Sequence, residues 1–444
     1  MSYFGTDGFR GKVNEGLTAL QAFKVGEAYG SYLRTHFEQP RVYIGQDTRL
    51  SSPMLSSAVA SGLSSQGVDC FLLGVTSTPM VSFLTQSSEG FSGAVMISAS
   101  HNPYYDNGIK LFAETGEKLS PEVEQLIERH LDDLTKLEVL DGSKIGRLYN
   151  DQQGIEKYLA LLTDTFKMDL SNYQIVLDCA NGSATSTAQR AFELFGAKPV
   201  VIHNQPDGLN INRECGSTHT DSLRKKVVEL KADLGFAFDG DADRMMMVNA
   251  QGQELNGDYI LYILGRYLRN RGFLKGNTVV GTVMANLGLI KAFQKEEIQF
   301  VTTDVGDKYV SLGLQEHQAI LGGEQSGHII LKDFINTGDG VMSALAVMSV
   351  LHHTQLDLET LSQGLTIYPQ RLLNTKVKDK HNVLNDHHIK TYIQDIEESL
   401  QGNGRILVRP SGTEPLVRVM VEASTQAQCD LLCNQVVEYI QSRE

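Results

Sequence analysis

The feature that most constrains the fold is a pattern that recurs three times along the chain. Short apolar runs bounded by Gly, Pro and Asn come in threes, at residues 41–45, 68–73 and 91–97, then 174–177, 198–202 and 233–238, then 278–283, 298–303 and 319–321. Amphipathic stretches of helical length separate them. That alternation predicts α/β units throughout. Polar, glycine-bearing joints near 141–147 and 249–257, and a polar joint at 366–370, divide the blocks. The expected domains are 1–147, 148–250, 251–367 and a tail block, 368–444. A chain of 444 residues is too long for one core and suits such a division.

The last run of each block enters an unusual polar loop: SASHNP at 98–103, DGDADR at 239–244 and GGEQSGH at 322–328. The tail repeats the idea, with 406–408 running into RPSGTEP at 409–415. Ligands of α/β sheets bind outside the carboxyl ends of the strands. The four loops are therefore expected to be four walls of one cleft.

Charge narrows the partners. The formal net charge of −14 argues against nucleic acid or an anionic membrane as the main partner, since both would be repelled. A small anionic substrate stays compatible, because a few clustered arginines override the global sign. The five cysteines, Cys70, Cys179, Cys215, Cys429 and Cys433, are scattered, with no CxxC. A reducing, cytoplasmic setting is expected. MSYFGTDGFRG lacks the apolar core of a signal peptide, and the apolar stretch 341–351 is too short to span a bilayer.

DGDADR carries the sharpest chemistry. Asp239, Asp241 and Asp243 leave one strand end at alternate positions. Two carboxylates ~4 Å apart repel by roughly 4 kcal/mol at an effective dielectric of ~20. Three converging would need a cation between them; the alternative is an acidic turn splayed into water. An EF-hand is excluded, because Arg244 and Ala250 stand where Gly and Glu are required. An all-oxygen donor set favours Mg²⁺ over Zn²⁺.

The other loops supply partners for such an ion. Ser100 sits beside His101, with Asn102–Pro103 forcing a turn. It lacks the GxSxG setting of an acyl-transfer serine, but a hydroxyl near a divalent cation can carry a phosphoryl group. In RPSGTEP, Arg409 offers a planar fork, Ser411 and Thr413 offer hydroxyls, and Gly412 allows close backbone approach. Arg418 follows shortly after. Each reads equally as a solvated turn when taken alone. GGEQSGH adds Glu324, Ser326 and His328, a mixture suited to sugar hydroxyls, and FGTDGFRG places Arg10 in a glycine-rich loop.

Taken together, FGTDGFRG, SASHNPYYDNGIK, DGDADR, GGEQSGH and RPSGTEPLVRVM resemble, in order, the five signature segments of the α-D-phosphohexomutases. The resemblance spans residues 4–420. It implies three related three-layer α/β domains and a smaller C-terminal α+β domain around a central cleft. It implies that Ser100 is a phosphoserine touching one Mg²⁺ held by Asp239, Asp241 and Asp243, with Arg244 beside the metal loop. Arg10, His101, Lys110 and His328 match groups flanking the transferring phosphoryl, with Lys110 and His328 as proton-transfer candidates. Glu324 and Ser326 match sugar-hydroxyl readers. Arg409, Ser411, Gly412, Thr413 and Arg418 match the grip on the substrate's second phosphate. A hexose bisphosphate would be the intermediate and activator.

FGTDG and GGEQSGH resemble the branch that interconverts glucosamine 6-phosphate and glucosamine 1-phosphate. The branch acting on mannose and glucose phosphates usually carries Met where Gln325 stands, and is the alternative. The implied partner is a small hexosamine phosphate, with a homodimer compatible.

Overall fold

The computed structural model describes residues 3–5, 7–151, 153–411 and 415–443. Backbone contacts divide it into two units, Met1–Met284 with Ile298–Ser362, and Ala285–Glu297 with Gln363–Glu444.

The first unit holds three sheets that share one strand order. In the first, Asp69–Val75, Arg41–Gln46 and Gly93–Ile97 lie side by side and parallel. In the second, the same places are taken by Val200–Ile202, Ile175–Asp178 and Leu234–Phe238. In the third they are taken by Gln299–Thr303, Thr278–Thr282 and Leu321–Gly323. The order is thus second, first, third along each block. A fourth strand then pairs antiparallel with the third: Asp106–Ala113, Met245–Asn249 and Ile329–Leu331, respectively.

These fourth strands place the site. Each polar loop connects a buried strand to its antiparallel neighbour, so it is held from both ends at the carboxyl edge of the sheet. Gly93–Ile97 and Leu234–Phe238 are buried at every position, as strands covered on both faces should be. The glycines Gly322 and Gly323, expected in a loop, are part of the third strand.

The sheets also run past the joints drawn from composition. Leu148–Asn150 pairs parallel with Asp69–Val75 as an edge strand of the first sheet. Glu254–Leu255 pairs with Met245–Asn249 in the second. Both are short additions at sheet edges, which carry little apolar signal. The apolar stretch at 341–351 lies inside the helix Gly340–Thr354, buried around most of its circumference and capped by the Asp339 carboxylate on the Met342 N–H. Among the described residues no helix is long and apolar enough to cross a membrane.

The second unit is α+β. Leu416–Glu422 is the central strand between Gln370–Lys376 and Arg405–Pro410, all antiparallel. Val417, Val419 and Val421 alternate toward Cys433, Val436 and Ile440 of the helix Gln426–Arg443, while Leu416, Met420 and Glu422 on the other face are buried as well. Buried Glu422 accepts from Asn286 Nδ2 at 3.1 Å, the Leu287 N–H at 3.0 Å and Arg405 Nε at 2.6 Å. It fastens the start of helix Leu287–Lys295 into this unit.

Candidate active site

Ser100 follows the strand Gly93–Ile97 and is fully buried. Its backbone is left-handed, φ 50°, which costs a non-glycine residue on the order of 1 kcal/mol or more. Several donors hold it there. The Ser100 carbonyl accepts from Arg49 Nη2 at 2.9 Å and Asn212 Nδ2 at 2.8 Å, and the Ser100 N–H donates to Ser98 Oγ at 3.0 Å. The hydroxyl is left to the chemistry: Oγ donates to Asp239 Oδ2 at 2.7 Å and lies 3.2 Å from His101 Nδ1. Burial, with Arg244 and Arg10 nearby, lowers His101 to about 4, so its ring is neutral.

Sequence reading passed over Arg49, which organises this loop. Its guanidinium pairs with Asp47 at 2.8 Å and donates to the carbonyls of Ser100, Asn102, Pro103 and Asp106. Asp47 in turn accepts from Ser98 Oγ at 2.7 Å and Ser52 Oγ at 2.6 Å. Both ions are completely buried. Arg49→Met would strand the Asp47 charge and take a donor from four carbonyls, of which those of Ser100 and Asn102 keep Asn212. Urea unfolding is expected to show a loss of about 3–5 kcal/mol, the cost of breaking a buried pair. A loss under about 1 kcal/mol would mean the loop is held by something else.

DGDADR meets this loop closely. A Cβ on Gly240 would come within 2.4 Å of the Ser100 carbonyl oxygen, so only glycine admits the approach. Asp239, Asp241 and Asp243 are buried, with one carboxylate oxygen of each within 4.8 Å of the others. Asp239 accepts from Ser100 and, through Oδ1, from the Arg244 N–H at 3.1 Å. Asp241 accepts from Thr78 Oγ1, at the start of helix Thr78–Ser87, and from Lys110 Nζ at 2.7 Å. Lys110 also lies 3.3 Å from Asp243 Oδ2 and 3.1 Å from Asp7 Oδ2.

Charge is shared unevenly in this cluster. Burial, then Asp243 and Asp241, push the Asp239 carboxyl well above the usual carboxylate range. Burial also opposes ionisation of Asp243, yet Lys110, His328 and Arg244 hold it well below that range. Lys110 is kept protonated against its burial by Asp241, Asp7 and Asp243. Two buried oxygens, Asp241 Oδ1 and Asp243 Oδ1, have no hydrogen-bond partner among the described residues. Unpaired, buried carboxylate oxygens beside a third carboxylate fit a hard divalent cation. The cluster is a divalent-metal site in its donor chemistry.

The third loop closes against the second. Met245 N–H donates to the Gly327 carbonyl at 3.0 Å, and a Cβ on Gly327, where φ is 88°, would strike the Met245 carbonyl oxygen. His328 is buried; its Nδ1 lies 3.8 Å from Asp243 Oδ1, and its Nε2 accepts from the Gly338 N–H at 3.0 Å. That acceptor role leaves the ring proton on Nδ1, facing Asp243. Glu324 accepts from the Gly306 N–H at 3.1 Å and lies 3.5 Å from Ser326 Oγ. Gln325 donates to Asp258 at 3.3 Å while its carbonyl accepts from Gly257, so it shapes the loop. Arg10 is paired with Asp7, which Lys118 bridges onward to Asp307. A cavity of ≈ 240 Å³ adjoins this network, lined in part by Lys118, Asp307, Lys308, His328, Asn336 and Thr337.

The remaining site residues belong to the second unit. Arg409 and Arg418 are register partners on neighbouring strands. Like charges directly opposite each other are destabilising in a sheet unless an anion rests on them. Ser411 is buried, its N–H donating to the Leu416 carbonyl, and Lys380, which sequence reading missed, donates to the Ser411 carbonyl at 2.6 Å. Gly412 and Thr413 lie outside the described residues.

Four family models cover nearly the whole chain. They are the phosphoglucomutase/phosphomannomutase alpha/beta/alpha domains I (residues 1–138), II (156–252) and III (256–368) and the C-terminal domain (372–439). The phosphoglucosamine mutase of Lachnoclostridium phytofermentans is 46% identical over 443 residues, covering 99% of this chain and 98% of that one. That of Bacillus subtilis is 46% identical over 441 residues, with the same coverage. The chain is a phosphoglucosamine-mutase-like member of this family. A crystal structure of a phosphoglucomutase/phosphomannomutase family protein from Burkholderia thailandensis superimposes with a TM-score of 0.83 at 24% identity, over 99% of this chain and 98% of that one. The four-domain α/β architecture is thus that of the phosphohexomutases.

Proposed function

We propose that this enzyme interconverts glucosamine 6-phosphate and glucosamine 1-phosphate through a phosphorylated Ser100 and a hexosamine bisphosphate, supplying UDP-N-acetylglucosamine synthesis. The observation that carries the mechanism is the Ser100 hydroxyl, 2.7 Å from Asp239 at the edge of three buried carboxylates. The near-full-length identity to phosphoglucosamine mutases supports the substrate.

A phosphoryl group on Ser100 would place a dianion against these carboxylates. Each unit-charge pair at ~4 Å costs roughly 4 kcal/mol at an effective dielectric of ~20, so the phospho-enzyme needs added positive charge. Mg²⁺ held by Asp239, Asp241, Asp243 and the Ser100 phosphate would supply it and balance charge on the transferring group.

The chain's own groups do the rest. The Oγ–P bond of phospho-Ser100 breaks as the sugar's free hydroxyl oxygen bonds to phosphorus. The hydroxyl proton passes to Lys110 or His328, and either takes it only after leaving the resting state, in which Lys110 holds its own proton among three carboxylates and His328 Nε2 is engaged by the Gly338 N–H. The bisphosphate reorients, and Ser100 Oγ takes the other phosphoryl group. Arg10, Arg244 and His101 surround the moving group, and Glu324 and Ser326 read the sugar hydroxyls. Arg409, Ser411 and Arg418, with Gly412 and Thr413, grip the phosphate that is not reacting. The working divisions lie close to those read from the sequence, 1–147, 148–250, 251–367 and 368–444, with Leu148–Asn150 and Glu254–Leu255 as edge strands that complete the preceding sheet. The reading is of a cytoplasmic enzyme that uses no nucleic-acid or membrane partner and is compatible with a homodimer.

Substrate choice is testable by comparing kcat/KM on the 6-phosphates of glucosamine, glucose and mannose. Glucosamine 6-phosphate is expected to lead by more than about tenfold, an energy of ~1.4 kcal/mol. Equal or greater efficiency on mannose phosphate would move the enzyme to the phosphomannomutase/phosphoglucomutase reading.

A further inference from the structure

A second cluster of ligating side chains lies at the carboxyl edge of the second sheet, apart from DGDADR. Ile175–Asp178 and Val200–Ile202 are adjacent parallel strands, so Asp178 and His203 emerge side by side. The chain then runs out and returns with Cys215. The return is fastened by the Gly216 N–H on Asp178 Oδ2 at 3.0 Å and the Ser217 N–H on the Phe238 carbonyl at 2.8 Å. One ligand atom from each of Asp178, His203 and Cys215 lies within 4.8 Å of the others. None of the three has a part in the phosphoryl-transfer site.

Three observations distinguish this cluster from ordinary packing. His203 Nδ1 is buried and stands 3.0 Å from Asp178 Oδ1; the contact is off-line for a hydrogen bond, and the nearby carboxylate raises the imidazole above its ordinary range, so an ion entering here displaces a proton shared by the pair. Asp178 Oδ1 is already engaged by the Ala180 N–H at 2.9 Å. The backbone is left-handed at Ala180, Asn181, His203, Asn212 and Glu214, so strained conformations concentrate where the three side chains are brought together.

We propose that Asp178, His203 and Cys215 form a three-ligand site for a thiophilic divalent cation, best suited to Zn²⁺. One carboxylate oxygen, one imidazole nitrogen and one sulfur make a mixed donor set that zinc accepts and magnesium does not. Cys215 releases its thiol proton to solvent as the sulfur–metal bond forms. The His203 side chain is 28% exposed, which leaves an edge for ion entry and a water as fourth ligand.

The site fastens the 203–217 loop at both ends. Between them, Asn212 donates to the carbonyls of Ser100 at 2.8 Å and Asn102 at 3.1 Å. Ion binding thereby stiffens the brace behind the nucleophile without touching the substrate.

Cobalt(II) is a suitable probe, because a thiolate ligand gives it a charge-transfer absorption that oxygen ligands do not. Full-length enzyme in excess Mg²⁺ is titrated with Co²⁺, and then with Zn²⁺ in competition. The expected result is a thiolate band saturating at one ion per chain, bleached by one equivalent of Zn²⁺. Cys215→Ser should abolish it, and His203→Gln should weaken Co²⁺ binding at least tenfold. Absence of the band in the parent enzyme, or its persistence in Cys215→Ser, would overturn the proposal and leave Asp178–His203 as an ion pair beside a buried thiol. If Cys215→Ser does not fold, His203→Gln decides: unchanged Co²⁺ affinity in that variant overturns the site equally.

Discussion

Replacing Ser100 with alanine is expected to lower turnover by on the order of 10⁴-fold or more, the scale of losing a covalent nucleophile. Stability should stay within about 1 kcal/mol, because the fold-bearing contacts of this residue run through its carbonyl and N–H. Only the bonds from Oγ to Asp239 and His101 disappear. Incubating the parent with a hexose 1,6-bisphosphate should add one phosphate, mapped to the peptide containing Ser100. An alanine variant that keeps parental turnover, or a phosphate mapped elsewhere, would sink the mechanism.

Asp239→Asn is expected to separate activity from stability. The amide can still accept from the Arg244 N–H and face Ser100 Oγ, so the loop geometry is retained. What is lost is one negative charge at the ion site. A reduction of roughly 10²–10³-fold in kcat is expected, the range for removing one preorganised electrostatic contact. In metal-free protein the same change should be neutral or stabilising, because burial and its two neighbours already disfavour the Asp239 charge. Chelation of the parent should abolish turnover, and Mg²⁺ should restore it. Full activity in chelator would give the three aspartates another purpose.

Much of the fold was legible because buried parallel strands announce themselves. Gly93–Ile97 and Leu234–Phe238 are short, apolar and bounded by turns, and each delivers a polar loop. Two of the antiparallel fourth strands were missed because they begin directly after that loop, as Met245 follows Arg244 and Ile329 follows His328, with no turn signal between; the other opens on polar Asp106–Asn107, which reads as more loop. Lys110 shows the same limit: composition places a lysine at the surface, whereas the strand Asp106–Ala113 carries it into a buried ring of carboxylates. Arg49 and Asp47 were invisible for a related reason. In QDTRL they look like a solvated loop, and their value lies in carbonyls more than fifty residues away. Asp178, His203 and Cys215 are distant in sequence and meet only through strand adjacency.

The shared strand order of the three sheets has a consequence for how such an enzyme can change over generations. Each sheet offers the same connection, from third strand to antiparallel fourth, as its working edge. A gene segment copied twice and fused in tandem would deliver three equivalent edges at once, each free to specialise. In this chain one edge carries the serine, one the three carboxylates and one the glutamate and histidine, over sheets built to a common plan. The short turn between Gly323 and Ile329 is not wholly independent, because Gly327 and His328 tie it to Met245 and Asp243 of the neighbouring copy, so a change there is felt at the three carboxylates as well.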